Sequence, residues 1–341
     1  MNAFLRWLFF SRWTLLLNLV LGGLVWGRDV ELLNVSFDIS RELFQAYNPV
    51  FVEHWRKSGG GSLVIQQSHA GSSKQARAVI DGLEGDVVTF NLVSDIEALA
   101  SRGLVAADWR QRFPNDSSPF TSTIVFLTRR GNPKGIRDWS DLARPGVSVI
   151  VPNPKTSGNG KYSYLAAYGY ALRQFGQNDQ RAREFVASIF RNVPVMEAGG
   201  RAASTTFVQR EIGDVLLTFE AEVLLNLQEF GTNRFERVTP TVSVQAEMPV
   251  AVVERVAKRR GTLVLAKAYL DFLFTEAGQD IAAQNYYRPR LDSVARRHAG
   301  LFPALELLSV DRTFGGWRKA TEVHFAEGGV FDQVINQISR R

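Results

Sequence analysis

The sequence predicts an α/β protein in which parallel sheets carry helices on both faces. Short apolar runs alternate with amphipathic segments along most of the chain, which is typical of strands that alternate with helices. Apolar residues make up 45% and charged residues 22% of the chain, a composition typical of globular proteins. The length of 341 residues favours two domains rather than one.

The first 27 residues predict an export signal that is cleaved. Two basic residues, Arg6 and Arg12, precede an apolar run at 15–26, and the small-residue spacing Val25-x-Gly27 follows. The run is short for a membrane span, although an uncleaved N-terminal anchor remains the alternative. We therefore expect a periplasmic protein. Because the chain contains no cysteine, its stability must come from its core alone.

Secondary structure is predicted from the period of the apolar residues. The predicted strands are 30–36, 62–67, 86–90, 121–131, 147–154, 193–199 and 214–220. The predicted helices are 40–55, 72–83, 94–103, one from about 160, 205–213, 265–287 and a glycine-interrupted one at 314–337.

Three strands end in small polar residues just before a helix begins. The sequences are "SHAGSSKQ" after 62–67, "KTSGNGK" after 147–154 and "GRAASTTF" after 193–199. A helix N-terminus offers free N–H groups and partial positive charge, so several together predict an oxyanion site. A purely structural interpretation stays open for each loop. Ser72 and Gln75 fit a capping box, and Ser157 and Ser204 are ordinary cap residues.

Other functional classes find little support. The four histidines are scattered without metal-ligand spacing, and the loop at 68–75 lacks the glycine-lysine pair of a nucleotide-binding loop. The sulfatase-like pattern S-x-P-x-R fails at Thr121, and no nucleophile–base pair is visible. A formal charge of +6 without a dense basic block argues against nucleic acid as a partner. We expect no metal, no cofactor and no catalysis.

Several long segments resemble one family. "LLNVSFDISRELF", "QSHAGSSKQARAVIDGL", "STIVFLTRRGNPKGIRDW", "VIVPNPKTSGNG", "TTFVQREIGDVLL", "NYYRPR" and "FGGW" are similar to segments of the bacterial periplasmic sulfate/thiosulfate-binding proteins. These are the soluble receptors of ABC importers. The resemblance covers essentially everything after the predicted signal.

The resemblance implies a two-lobed periplasmic-binding-protein fold of type II, in which each lobe contains a mixed sheet and the two lobes, joined by a hinge, close over one anion. Lobe I would comprise 28–120 and 246–341, and lobe II would comprise 121–245. It further implies a monomer that passes its ligand to a membrane ABC permease. A receptor for another tetrahedral oxyanion, phosphate or molybdate, is the first alternative, and a sulfate- or phosphate-ester hydrolase is the second.

The resemblance also implies which residues contact the anion. From lobe I these are the backbone N–H of Asp38 and the hydroxyl of Ser72. From lobe II these are the backbone N–H groups of Ser157, Gly158, Asn159 and Gly200.

One position departs from the sulfate-binding pattern, because Phe219 stands where that branch has tryptophan. This and other details resemble the thiosulfate-binding branch more closely, and both anions remain possible. Ser73 is expected to support the site. Arg201 is expected to pair with the Asp38 carboxylate across the cleft.

Overall fold

The computed structural model of the chain describes residues 30–339. The predicted export signal at 1–27 lies outside the described residues. Within that part of the chain, no helix is both long and apolar enough to cross a membrane.

Fourteen strands are described. They are β1 Val30–Phe37, β2 Leu63–Ala70, β3 Val87–Thr89, β4 Phe120–Ser122, β5 Ile124–Arg129, β6 Val149–Pro152, β7 Met196–Glu197, β8 Val215–Phe219, β9 Phe235–Val238, β10 Val242–Val244, β11 Ala246–Glu247, β12 Val250–Val252, β13 Arg288–Pro289 and β14 Glu306–Leu308.

The α-helices described are α1 Arg41–Lys57, α2 Ser72–Ile80, α3 Val93–Ala100, α4 Pro114–Ser117, α5 Trp139–Leu142, α6 Gly158–Gln174, α7 Asp179–Arg191, α8 Gly200–Val208, α9 Glu220–Phe230, α10 Glu254–Arg260, α11 Leu263–Phe272, α12 Glu276–Gln284, α13 Asp292–Arg297, α14 Val310–Phe314, α15 Gly316–Ala320 and α16 Val330–Ser339. Short 3-10 helices occupy Asp38–Ser40 and Trp109–Gln111, and a π-helix occupies Thr321–Phe325.

Two larger sheets organise the chain. The first has the order β12-β3-β1-β2, with β1 parallel to both neighbours and β12 antiparallel to β3. The second has the order β7-β6-β8-β5-β9, in which β5 runs antiparallel to β8 and β9. The α/β class and the mixed sheets implied by the resemblance are thus confirmed. The purely parallel sheets predicted from the alternation of segments were wrong, because β12 and β5 run antiparallel to their neighbours. Two smaller sheets, β11-β4-β13 and β10-β14, complete the fold.

The predicted strand at 121–131 is two strands in different sheets. β4 pairs with β11 and β13, whereas β5 enters the five-stranded sheet. Thr123 lies between them, and its hydroxyl donates to the Val244 carbonyl at 2.8 Å. The apolar pattern runs through the change of sheet, so periodicity could not reveal it.

The predicted long helix at 265–287 is also divided. α11 ends at Phe272 and α12 begins at Glu276, with Thr275 accepting a hydrogen bond from the Gly278 N–H at 3.2 Å. A Cβ on Gly278 would lie 2.1 Å from the Phe272 carbonyl oxygen. Glycine therefore permits a break that the apolar pattern conceals.

The C-terminal segment packs beside α6 and α7. Lys155 Nζ lies 2.8 Å from an Asp332 carboxylate oxygen, and the Tyr164 hydroxyl lies 3.0 Å from His324 Nδ1. Residues assigned to lobe I by the predicted division thus contact residues assigned to lobe II. The lobe boundaries themselves stay a prediction.

Candidate anion-binding site

At the N-termini of α6 and α8, a glycine backbone lies close against side chains from segments that follow strands of the first sheet. A Cβ on Gly158 would lie 2.2 Å from Asn91 Oδ1, in the loop after β3. A Cβ on Gly200 would lie 2.4 Å from Ile39 Cδ1 and 2.8 Å from Asn159 Nδ2. Glycine at these two positions lets the helix ends contact segments that are far apart in sequence.

The N-terminus of α2 lies opposite the loop before α6. A Cβ on Gly71 would be 3.4 Å from the carbonyl oxygen of Thr156. A groove of about 550 Å³ opens beside this contact, lined in part by Lys74, Lys155 and Gly199. The three helix N-termini predicted from the sequence are therefore brought to one junction.

The start of α6 supplies two free amide groups. The N–H groups of Gly158 and Asn159 donate to no residue within 30–339. The Ser157 N–H, in contrast, donates to the Asn153 carbonyl at 2.9 Å, and Ser157 Oγ accepts from the Gly160 N–H. Of the three amides predicted to contact the anion here, that of Ser157 is thus already hydrogen-bonded within the preceding turn, and the Ser157 hydroxyl caps α6.

The Asp38 side chain lies at the N-terminus of α8 and accepts a hydrogen bond from it. Its Oδ2 accepts the Arg201 backbone N–H at 3.3 Å, and its Oδ1 accepts the Ile39 N–H at 3.1 Å. A carboxylate is stabilised there because the helix end carries partial positive charge. In the described part of the chain, the amide N–H groups of Asp38 and Gly200 have no acceptor.

Ser72 does not form the capping box that was its structural alternative. It is the first residue of α2 and is fully buried. Its hydroxyl lies near the Asp95 carboxylate, where it opposes the rise in pKa that burial causes, but it forms no hydrogen bond of ordinary geometry with any described residue. The Gln75 side chain turns instead to the Ser36 carbonyl and to Ser68 Oγ, at 3.1 and 3.0 Å. Burying a hydroxyl without a partner is costly, so this group is available for a ligand.

Ser73 has a partner within the protein. Its hydroxyl donates to Asp95 Oδ1 at 2.9 Å and approaches Oδ2 at 3.2 Å. Burial raises the pKa of Asp95, and the nearby Lys161 ammonium acts in the opposite direction. Ser73 thus ties the start of α2 to α3.

The Arg201 side chain does not pair with Asp38 as predicted. Its guanidinium lies 2.8 Å from Glu42 and 3.5 Å from Glu222, while only its backbone N–H reaches Asp38. Burial raises the pKa of Glu222 to about 7, against the opposing effect of Arg201. The Arg201 guanidinium thus pairs with a carboxylate of α1, Glu42, rather than with Asp38.

Phe219 ends β8 just before α9. It is fully buried, and its ring packs edge-on against Tyr162 with centroids 5.8 Å apart. The preceding Thr218 accepts a hydrogen bond from Asn159 Nδ2 at 2.7 Å, which links this strand end to the start of α6.

The sequence interpretation missed Asn91. It is 2% exposed and its Oδ1 has no hydrogen-bond partner within the described residues. Asn91 follows a buried strand as the three predicted loops do, but it lacks the glycine and serine that drew attention to them. Its position after β3 was the available signal.

Residues 30–339 contain no cluster of three or more histidine, aspartate or glutamate side chains suited to a metal ion.

The chain matches a family model described as bacterial extracellular solute-binding protein over residues 39–288. It is 51% identical over 328 residues to the thiosulfate-binding protein of Pseudomonas aeruginosa, covering 96% of this chain and 98% of that protein. It is 49% identical over 325 residues to the sulfate-binding protein of Escherichia coli, covering 95% and 99%. These two identities are too similar to separate the two ligands.

A solved structure of the sulfate-binding protein of Mycobacterium tuberculosis H37Rv is similar in fold. The TM-score is 0.79 at 33% sequence identity, covering 86% of this chain and 98% of that one. This likeness confirms the predicted fold class.

Proposed function

The chain belongs to the bacterial extracellular solute-binding proteins, among the sulfate- and thiosulfate-binding proteins, and on this premise we propose that it binds sulfate or thiosulfate outside the cytoplasm. It would then deliver the anion to a membrane ABC importer. Cleavage of the predicted signal at 1–27 and a monomeric state are part of the same proposal.

The observation that carries the proposal is the unpartnered Ser72 hydroxyl, buried at a junction with free amide groups. The proposed contacts are this hydroxyl and the amides of Asp38, Gly158, Asn159 and Gly200. All five are neutral donors, which suit an anion that carries no proton. A buried dianion is stabilised only when its oxygens receive hydrogen bonds.

The same donor set disfavours hydrogen phosphate. Near neutral pH phosphate retains a proton that needs an acceptor, and none of the five proposed contacts acts as an acceptor. The Asp38 carboxylate beside them already accepts from the Ile39 and Arg201 amides, so that the proton would face another donor. Such a mismatch costs on the order of 1–3 kcal/mol.

A melting-temperature screen with sulfate, thiosulfate, phosphate and molybdate tests the function. A ligand at 100 times its dissociation constant stabilises the folded protein by about 2.7 kcal/mol. We expect sulfate or thiosulfate to raise the melting temperature far more than the other two. Stabilisation by phosphate or molybdate alone would overturn the proposal, and turnover of an aryl sulfate above background would favour the hydrolase alternative.

Ser72→Ala should weaken anion binding by about 1.5–3 kcal/mol, the contribution of a hydrogen bond to a charged group. Because Ser72 caps no amide in the structure, the ligand-free melting temperature should stay the same. Calorimetric titration and a thermal scan measure the two quantities.

Ser309→Ala is the matched control, because Ser309 Oγ accepts from the Arg312 N–H as an ordinary helix cap. It should cost stability and leave anion affinity unchanged. Unchanged affinity in Ser72→Ala would show that its hydroxyl does not contact the ligand.

Phe219→Trp should shift the affinity ratio toward sulfate by about tenfold, one hydrogen bond to a charged group. An indole N–H would donate a strong hydrogen bond to a sulfate oxygen. It would donate a weaker one to the softer terminal sulfur of thiosulfate. A phenyl ring gives no donor and can contact sulfur favourably, by about 0.3–1.5 kcal/mol. Calorimetric titration of both anions into both proteins measures the ratio.

Phe207→Trp controls for the added ring volume, since Phe207 is buried in a separate core cluster with Val125 and Phe235. It should lower stability without changing the ratio. A ratio that moves less than about twofold in Phe219→Trp would mean that this position does not select the ligand.

A further inference from the structure

One buried polar atom at the junction is explained neither by the fold nor by the contacts proposed above. Asn91 is 2% exposed, and its Oδ1 has no partner among the residues described. Buried side-chain oxygens are almost always hydrogen-bonded, so an unpaired one needs a reason. The surrounding loop is well packed, because neighbouring Phe90 and Leu92 are fully buried.

The unpaired Asn91 oxygen lies beside the start of α6, which suggests a ligand as the missing partner of this side chain. Its Oδ1 lies 2.2 Å from where a Cβ on Gly158 would stand, so the carboxamide contacts the first residue of α6. The free amides of Gly158 and Asn159 belong to the same helix end. The side chain therefore reaches from the first sheet to the amides that are proposed to hold the anion.

We propose that Asn91 is a direct ligand contact that donates a hydrogen bond from Nδ2 to the bound anion. A half turn of the carboxamide exchanges its oxygen and nitrogen at nearly the same positions, which brings a donor to the site. This inference rests on the proposed function and adds a side-chain donor from the loop after β3. Ser72 is then accompanied by a second neutral side-chain donor from the first sheet.

The Asn91 carboxamide is uncharged, and donation to a dianion requires this. An asparagine donates without adding charge, whereas an aspartate of equal shape would place a carboxylate against a dianion. The charged groups on the flanking elements are Asp95 on α3 and Lys161 on α6, each of which lowers the cost of charging the other. Both groups are present in the parent protein and in the variants of Asn91.

The parent protein and two variants of Asn91 test the inference by calorimetric titration with sulfate and with thiosulfate at pH 8 and pH 5. Asn91→Ala should bind about 10–100-fold more weakly than the parent at both pH values, by loss of one hydrogen bond to a charged group. Asn91→Asp should bind at least about 100-fold more weakly at pH 8. It should recover most of that loss at pH 5, because burial and the neighbouring dianion raise the pKa of the new carboxyl and a protonated carboxyl can donate.

Asn34→Asp is the control, since Asn34 is fully buried in β1 with its amide bonded to Tyr269 and Thr89. It should lower the melting temperature and leave the affinity of the folded protein as in the parent. Ligand-free Asn91→Ala should not melt lower than the parent, because no internal hydrogen bond is lost.

The titrations distinguish a failure of the proposed function from a failure of the inference about Asn91. A parent protein that binds neither sulfate nor thiosulfate contradicts the proposed function. A parent that binds, with Asn91→Ala binding equally well, overturns the inference about Asn91 alone. An Asn91→Asp affinity that is lowered to the same extent at both pH values also overturns it, because packing damage does not depend on protonation.

Discussion

Gly158→Ala is expected to weaken sulfate or thiosulfate binding by about 3 kcal/mol, or roughly 100-fold. The added Cβ would lie 2.2 Å from Asn91 Oδ1 and 2.9 Å from Leu92 Cγ, and both residues are buried. Overpacking at such a contact forces the two segments apart. The amides of Gly158 and Asn159 would then no longer face the first sheet at hydrogen-bonding distance from one anion.

The ligand-free melting temperature of Gly158→Ala should not fall if the two sheets separate without ligand, because alanine is a better helix former than glycine. Titration and a thermal scan distinguish this from general damage. Gly61→Ala is the control, since a Cβ there meets nothing within 4 Å. Parent-like affinity in Gly158→Ala would show that this close approach is not needed for binding.

Arg288→Met is expected to cost about 3–5 kcal/mol of folding free energy, because it removes the closest partner of a buried carboxylate. Glu220 is fully buried and pairs in bidentate fashion with Arg288, at 2.6 and 3.0 Å. Its other cation, Arg237, is 3.7 Å away. Chemical denaturation measures the loss.

The Glu220–Arg288 pair joins the five-stranded sheet to the three-stranded one. Glu220 begins α9, directly after β8, whereas Arg288 belongs to β13, which pairs with β4. The control is Arg297→Met, whose two carboxylate partners are 62% and 31% exposed, so that the loss should stay below about 1 kcal/mol. Equal losses in the two variants would contradict the importance of burial at Glu220.

Much of the fold followed from apolar periodicity. Strands β1, β2, β3 and β8 lie where short apolar runs predicted them, and α1 buries the predicted face of Leu43, Phe44, Tyr47 and Phe51. Periodicity failed at Thr123 and at Thr275, where buried segments continue the pattern across a change of sheet or a helix break. An apolar pattern in the sequence predicts that a residue is buried, but it does not predict which strand or helix that residue packs against.

The candidate site shows the same limit. The glycine- and serine-rich loops at Ser72, Gly158 and Gly200 were visible in the sequence because helix N-termini need small and polar residues. The capping box considered as the structural alternative for Ser72 is absent, and the pairing predicted between Arg201 and Asp38 was wrong. In both cases a neighbour distant in sequence competes for the same group.

By itself the sequence determined the α/β class, the small polar loops that precede three helices and the resemblance to anion receptors, since these depend on local composition and order. The start of α8 was predicted wrongly, because this helix begins at Gly200 rather than 205 and contains Ser204, the expected cap residue. Only the tertiary structure decided that the Ser72 hydroxyl is left without a partner, that Arg201 reaches Glu42, and that Asn91 contacts the start of α6. Hydrogen-bond satisfaction depends on every group within about 3.5 Å of an atom. Here those groups come from segments 67 to 159 residues apart, and no local pattern encodes that distance.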